Sequence, residues 1–192
     1  MIGAILGDMV GAPYEFDRGS KTKDFEFWNR GCMFTDDSVM TIAVAEALIA
    51  AGPDADENTI KELVIKSMQD WGHRYPHAGY GGRFAGWLGD SDPQPYNSWG
   101  NGSAMRVSSA GWLYDSIERT REVARWTAEV THNHPEGVKG AEATASAITC
   151  IAGGIAEAFS RVPGEHQTEV LNRLEEDMIS VYRRFKGFQL DY

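Results

Sequence analysis

Four short stretches of this chain gather the residue types that do chemistry. Phe34-Thr35-Asp36-Asp37-Ser38 sets two adjacent carboxylates between hydroxyls, just ahead of an apolar run. Two readings fit it. Thr35 can be a helix N-cap, with two acids in the first turn where the helix dipole favours negative charge. Alternatively, the oxygens of Thr35, Asp36 and Asp37 can be ligands of a hard cation, Mg²⁺ or Mn²⁺, which prefers oxygen donors. Ser98-Trp99-Gly100-Asn101-Gly102-Ser103-Ala104-Met105-Arg106 is a glycine-rich turn feeding a helix. It reads as a backbone cradle for a phosphate, with Asn101 on a polar ligand edge and Arg106 holding a carboxylate or the loop. Taken alone, it reads better as a structural turn with Asn and Gly in left-handed conformations. In Thr131-His132-Asn133-His134-Pro135-Glu136-Gly137, Pro135 suits the first helical position and His134 the cap. No cysteine or third nearby histidine completes a zinc set, so His132 is either a ligand contact or a structural hydrogen-bonding histidine. Glu15, downstream of Gly7-Asp8, is a general base or water-orienting group, or a solvated loop residue.

Helices must position these residues, because strand alternation is nearly absent. Gly3, Gly7 and Gly11 repeat every four residues and predict a helix over 1–16 with a smooth stripe for close packing. The run over 35–51 is apolar nearly all round and ends at Gly52-Pro53, which predicts a central buried helix. Ile60, Leu63, Val64, Met68 and Trp71 give the 57–71 helix one apolar face. Residues 72–102, rich in glycine and aromatics, read as a long functional loop. Helices then follow over 103–115, 120–130, 135–160 and 165–185, with Glu175-Glu176-Asp177 as a solvated helix face. His73, His77 and His166 are expected to be structural or surface residues. The expectation is a single all-α domain over 1–192.

Composition narrows the function. Hydrophobic residues make up 42% and charged residues 24%, an ordinary globular mix. No apolar run reaches the roughly 18 residues of a membrane span, and no secretory leader is expected, since the first charge is Asp8. The net charge of −10 disfavours nucleic acid and requires any anionic ligand to be held by local donors. Cys32 and Cys150 lack metal-ligand spacing and point to a reducing, cytoplasmic setting.

Taken in order, the stretch from Gly3 to Phe16, Phe34-Thr35-Asp36-Asp37-Ser38-Val39-Met40-Thr41, Gly100-Asn101-Gly102-Ser103-Ala104-Met105-Arg106 and Thr131-His132-Asn133-His134-Pro135-Glu136-Gly137 closely resemble the ADP-ribosylglycohydrolase family, relatives of dinitrogen-reductase-activating glycohydrolase. The resemblance covers nearly the whole chain. It implies an orthogonal all-α helical bundle that hydrolytically releases ADP-ribose from a modified protein or a small molecule. It also implies Mg²⁺ or Mn²⁺ between the helices. By motif, Thr35, Asp36 and Asp37 match metal ligands, and Glu15 matches a glutamate near the metals and the attacked ribose. Ser98, Asn101 and Gly102 match the ADP-ribose loop, and His132 matches a histidine of the same cleft. Tyr80 and Gly81 match a cleft-lining region loosely.

One family motif has no match. Before the apolar helix of 148–159 the family has a second metal motif of the form Gly-Asp-x-Asp-Thr; here Thr144, Ser146 and Ala147 stand at its aspartate and threonine positions. The segment also resembles the helix after the histidine motif, as though two helices were joined by an internal deletion near 143–149. The expectations are therefore one or two ions with the second site doubtful, some helices missing, and a groove that a homodimer or a domain-swapped copy could fill. The alternative function is a catalytically impaired protein that binds ADP-ribose or a partner.

Overall fold

A computed structural model of the chain describes residues 1–15, 23–154 and 162–190. Among them there is no strand. The helices are α1 (Ile2–Gly11), α2 (Asp36–Ala51), α3 (Glu57–Arg74), α4 (Gly82–Leu88), α5 (Gly102–Met105), α6 (Ala110–Leu113), α7 (Ile117–Glu129), α8 (Pro135–Gly154), α9 (Gly164–Arg173) and α10 (Glu176–Leu190), with 3₁₀ turns at Ala12–Tyr14 and Val107–Ser109.

The apolar run after Asp37 makes α2 the centre of the fold. Every residue from Ser38 to Ala45 is buried, and α1, α3, α10 and the Val107–Ser109 turn pack around it. Thr35 caps its start and Gly52, at φ 80°, ends it. Glu46 is the polar exception; its carboxylate accepts from Trp71 Nε1 at 2.7 Å and from Arg184 at 2.6 Å.

Several expectations are corrected. The 72–102 loop contains α4, which buries Phe84, Trp87 and Leu88 at helical spacing. Gly81, Gly82 and Gly86 masked that amphipathic pattern. The expected 103–115 helix is broken into α5, a 3₁₀ turn and α6, pivoting where Arg106 buries its side chain. The expected 165–185 helix is two helices, because Leu174 is extended (φ −90°, ψ 149°). Asp177 is accordingly no solvated-face residue: it caps the Met178 N–H at 2.8 Å and accepts from Tyr75 and Arg74. Among the described residues the α1 glycine stripe meets no close packing: a Cβ on Gly7 or Gly11 would meet nothing within 4 Å, and one on Gly3 only Val162 at 3.8 Å. Phe16 and residues 155–160 of the expected helices lie outside the described residues.

Candidate active site

Asp8 organises the start of α2. Its carboxylate accepts from the Thr35 N–H at 2.8 Å, the Thr35 hydroxyl at 2.6 Å and the Ser38 N–H at 3.1 Å, and also from the Ser38 hydroxyl. Thr35 Oγ1 in turn accepts from the Asp37 N–H at 3.4 Å. A carboxylate on α1 thus takes up orphan donors at the first turn of α2 and fixes Thr35, Asp36 and Asp37. The Asp36 N–H donates to Ala78 O at 2.8 Å, which ties the turn before α4 to the same point. Gly79 follows at φ 103°, where a side chain is strained, and a Cβ there would stand 3.9 Å from Asp36 Oδ1.

The result is a crowd of acids. Asp36 is pushed up to about 7, first by burial and then by the charges of Asp37, Asp8 and Glu15. Asp37 is pushed up to about 6, by burial and then by Asp8 and Glu15. The Tyr80 hydroxyl is buried without a partner among the described residues, and burial and then the Asp36 charge raise its phenol. No lysine, arginine or histidine ion pair among the described residues reaches Asp8, Asp36 or Asp37. Such a donor set suits a divalent cation. It is sparse, because among the described residues no three His, Cys, Asp or Glu side chains converge on one point. Thr35, Asp36 and Asp37 are the side chains that could hold an ion there.

A second group forms around His132. A Cβ on Gly102 would lie 3.1 Å from His132 Cε1 and 3.2 Å from Nε2. A Cβ on Gly137 would lie 2.7 Å from Ser98 O and 3.1 Å from His132 Cβ. Ser103 Oγ donates to Gly137 O at 2.8 Å, and the Asn97 N–H donates to Asn133 Oδ1 at 2.7 Å. The 98–102 loop is thus clamped to the start of α8 with His132 between them. Gly102 serves this approach and not a left-handed turn: Asn101 is right-handed (φ −75°), and the positive φ in this region is at Asn97. Asn101 itself is exposed, with Trp99 the most exposed of the large apolar residues at 75%. Thr41 of α2 joins the two groups by donating to Met105 O at 3.3 Å.

His134 caps α8, its Nδ1 accepting from the Glu136 N–H at 3.1 Å. His166 is structural, accepting from Trp28 Nε1 at 3.2 Å. Arg106 meets no carboxylate among the described residues; it donates to Thr127 O at 3.1 Å and Thr131 Oγ1 at 2.7 Å. Sequence reasoning assigned no site role to Asp8, Thr131 or Gly137, although all three stand inside the motifs it used.

The ADP-ribosylglycohydrolase family profile matches residues 1–186. This chain belongs to the ADP-ribosylglycohydrolase family. Among curated proteins it is similar to the ADP-ribosylhydrolase ARH3 of Mus musculus, at 27% identity over 206 residues, covering 92% of this chain and 53% of that protein. The ARH3 proteins of Xenopus tropicalis and Bos taurus are 27% and 28% identical, each across 77% of this chain and 48% and 47% of their own lengths. The chain spans about half the length of the curated relatives it matches. In this ADP-ribosylglycohydrolase chain, the motifs that carried the resemblance are those that build the two groups just described.

Proposed function

We propose that the chain is a metal-dependent ADP-ribosyl hydrolase, releasing ADP-ribose from a modified protein or an ADP-ribose-bearing small molecule. The observation that supports this best is the acidic crowd at the start of α2, where no ion pair among the described residues reaches Asp8, Asp36 or Asp37. Thr35, Asp36 and Asp37 would hold Mg²⁺ or Mn²⁺. When bound, the ion supplies Lewis-acid polarisation and orientation of ribose hydroxyls or water. Asp8 keeps the Thr35–Asp37 turn rigid, and Ala78 O, on the Asp36 N–H, seats the loop that carries Tyr80. Glu15, within electrostatic reach of both aspartates, is the group to orient or deprotonate the attacking water. Ser98, Asn101, Gly102 and His132 would bind ADP-ribose along the clamped loop. The test is release of ADP-ribose from an ADP-ribosylated protein with Mg²⁺ or Mn²⁺. Asp36→Ala is expected to abolish turnover, and full activity in that variant overturns the reading.

One observation favours a second reading, binding without turnover. Thr144 and Ser146, at the second metal motif's positions, turn their hydroxyls back into α8, donating to Gly140 O at 2.8 Å and Glu142 O at 2.7 Å. Calorimetry separates the two: ADP-ribose binding indifferent to Mg²⁺, with no turnover, selects the second.

A further inference from the structure

His132 is 4% exposed, Thr131 0% and Arg106 1%, and the three form a chain of hydrogen bonds. Arg106 Nη2 donates to Thr131 Oγ1 at 2.7 Å, and Thr131 Oγ1 lies 2.7 Å from His132 Nδ1. The direction of the second bond follows from counting acceptors. The guanidinium only donates, so the threonine hydroxyl accepts from it and must send its own proton elsewhere. Ala128 O, at 3.4 Å, is one candidate. It already accepts from the His132 N–H at 2.8 Å, the Thr131 N–H at 3.1 Å and the Val130 N–H, more donors than its two lone pairs serve, whereas Nδ1 is nearer at 2.7 Å. The proton therefore goes to His132 Nδ1, which must be the unprotonated nitrogen, and Nε2 carries the hydrogen. The Cε1–Nε2 edge of the ring faces Gly102, and among the described residues the hydrogen bond of the His132 ring is the one at Nδ1.

We propose that Arg106 and Thr131 are positioning residues that hold His132 as its Nε2–H tautomer and aim that proton at a ligand oxygen, of ribose or phosphate, over the 98–102 loop. The identity of the ligand rests on the functional reading above; the tautomer does not. Two features strengthen the arrangement. Burial, and then the nearby Arg106 charge, hold His132 down at about 4, so the ring is neutral and a tautomer is there to be chosen. Arg106, even lowered by burial to about 10, stays a cation and cannot reverse its role as donor. His132 then acts as a fixed neutral donor and not as a proton acceptor.

The test is the long-range ¹⁵N–¹H spectrum of the histidine rings in the full chain at neutral pH, with ADP-ribose affinity measured by calorimetry. In the wild type, His132 is expected to show a protonated Nε2 and an unprotonated Nδ1. Thr131→Val, isosteric but without the hydroxyl, should lose that signature and weaken ADP-ribose binding about tenfold. Thr131→Ser should keep the signature and bind within about twofold of wild type. A wild-type ring protonated on Nδ1 overturns the proposal and needs no variant to fold. Thr131→Val with an unchanged spectrum, or with a changed spectrum and unchanged affinity, overturns it as well. The expected tautomer in a wild-type protein that fails to bind ADP-ribose supports the hydrogen-bond chain and removes the functional reading instead.

Discussion

The acids at the start of α2 and the buried imidazole beside Gly102 give the metal-free protein two opposite pH dependences. Asp36 and Asp37 titrate in the fold at about 7 and about 6, above the ordinary value of 3.8. The folded state therefore holds protons that the unfolded chain has released. Their stabilising contribution is full below about 4 and is lost as pH rises through 6 to 7. His132 runs the other way. Its fold value of about 4 lies below the ordinary 6.5, so its contribution is full above 6.5 and is lost as pH falls toward 4. Between about pH 4 and 7 the two acids outweigh the single imidazole, so thermal melts in chelator should fall from about pH 4 upward. Asp36→Asn is expected to flatten that fall and raise Tm near pH 8, and His132→Gln to steepen it between about pH 4 and 6.5. Saturating Mg²⁺ should act as Asp36→Asn does, because an ion replaces the missing counter-charge. An Asp36→Asn protein as pH-sensitive as wild type between about pH 5.5 and 8 would refute this.

Glycines at helix contacts decide how the elements hold the loop, and they separate stability from function. Gly111 and Gly137 are equally crowded. A Cβ on Gly111 would stand 2.6 Å from Ile148 Cβ and 2.8 Å from Ala145 O, at the packing of α6 on α8. One on Gly137 would stand 2.7 Å from Ser98 O, and a backbone carbonyl cannot swing aside as a side chain can. Alanine at either should cost about 1–3 kcal/mol, seen as a fall in Tm of several degrees. Only Gly137→Ala displaces Ser98 and His132, so only it should weaken ADP-ribose binding, by about tenfold or more. Gly7→Ala, whose Cβ would meet nothing within 4 Å among the described residues, should instead gain up to about 1 kcal/mol. Gly111→Ala binding as poorly as Gly137→Ala would show that the loop is not the point of action. These same glycines mark what was legible in the sequence. The all-round apolar run of α2, its Thr35 cap and its Gly52 stop were readable because their causes are local. The purposes of Gly7, Gly102 and Gly137 were not, because a glycine serving a close approach differs from a dispensable one only by what lies opposite in space. For the same reason Asp8 gave no local sign that its partners stood 27 and 30 residues away, and the glycines of α4 hid a helix whose apolar residues were correctly spaced.

At the scale of the whole molecule, 18 basic residues against 28 acidic ones set a field of one sign. That field attracts a divalent cation to the α2 acids and repels an anionic nucleotide sugar from the neighbouring loop. Binding of the two should therefore be coupled. Bound Mn²⁺ removes local repulsion and tightens ADP-ribose, and ADP-ribose must tighten Mn²⁺ by the same factor. Salt gives the second signature. Raising ionic strength from about 0.05 to about 0.5 M should weaken Mn²⁺ binding while strengthening ADP-ribose binding to the metal-free chain, since screening acts on attraction and repulsion alike. Stoichiometry gives the third. Carboxylates suited to an ion stand at Asp36 and Asp37, whereas Thr144 and Ser146 spend their hydroxyl protons on α8 carbonyls. Titration calorimetry with Mn²⁺ is expected to report one ion per chain, lost in Asp36→Ala. Two ions per chain, or one that survives Asp36→Ala, would place ligands elsewhere and detach the metal from the acids that Asp8 holds in place.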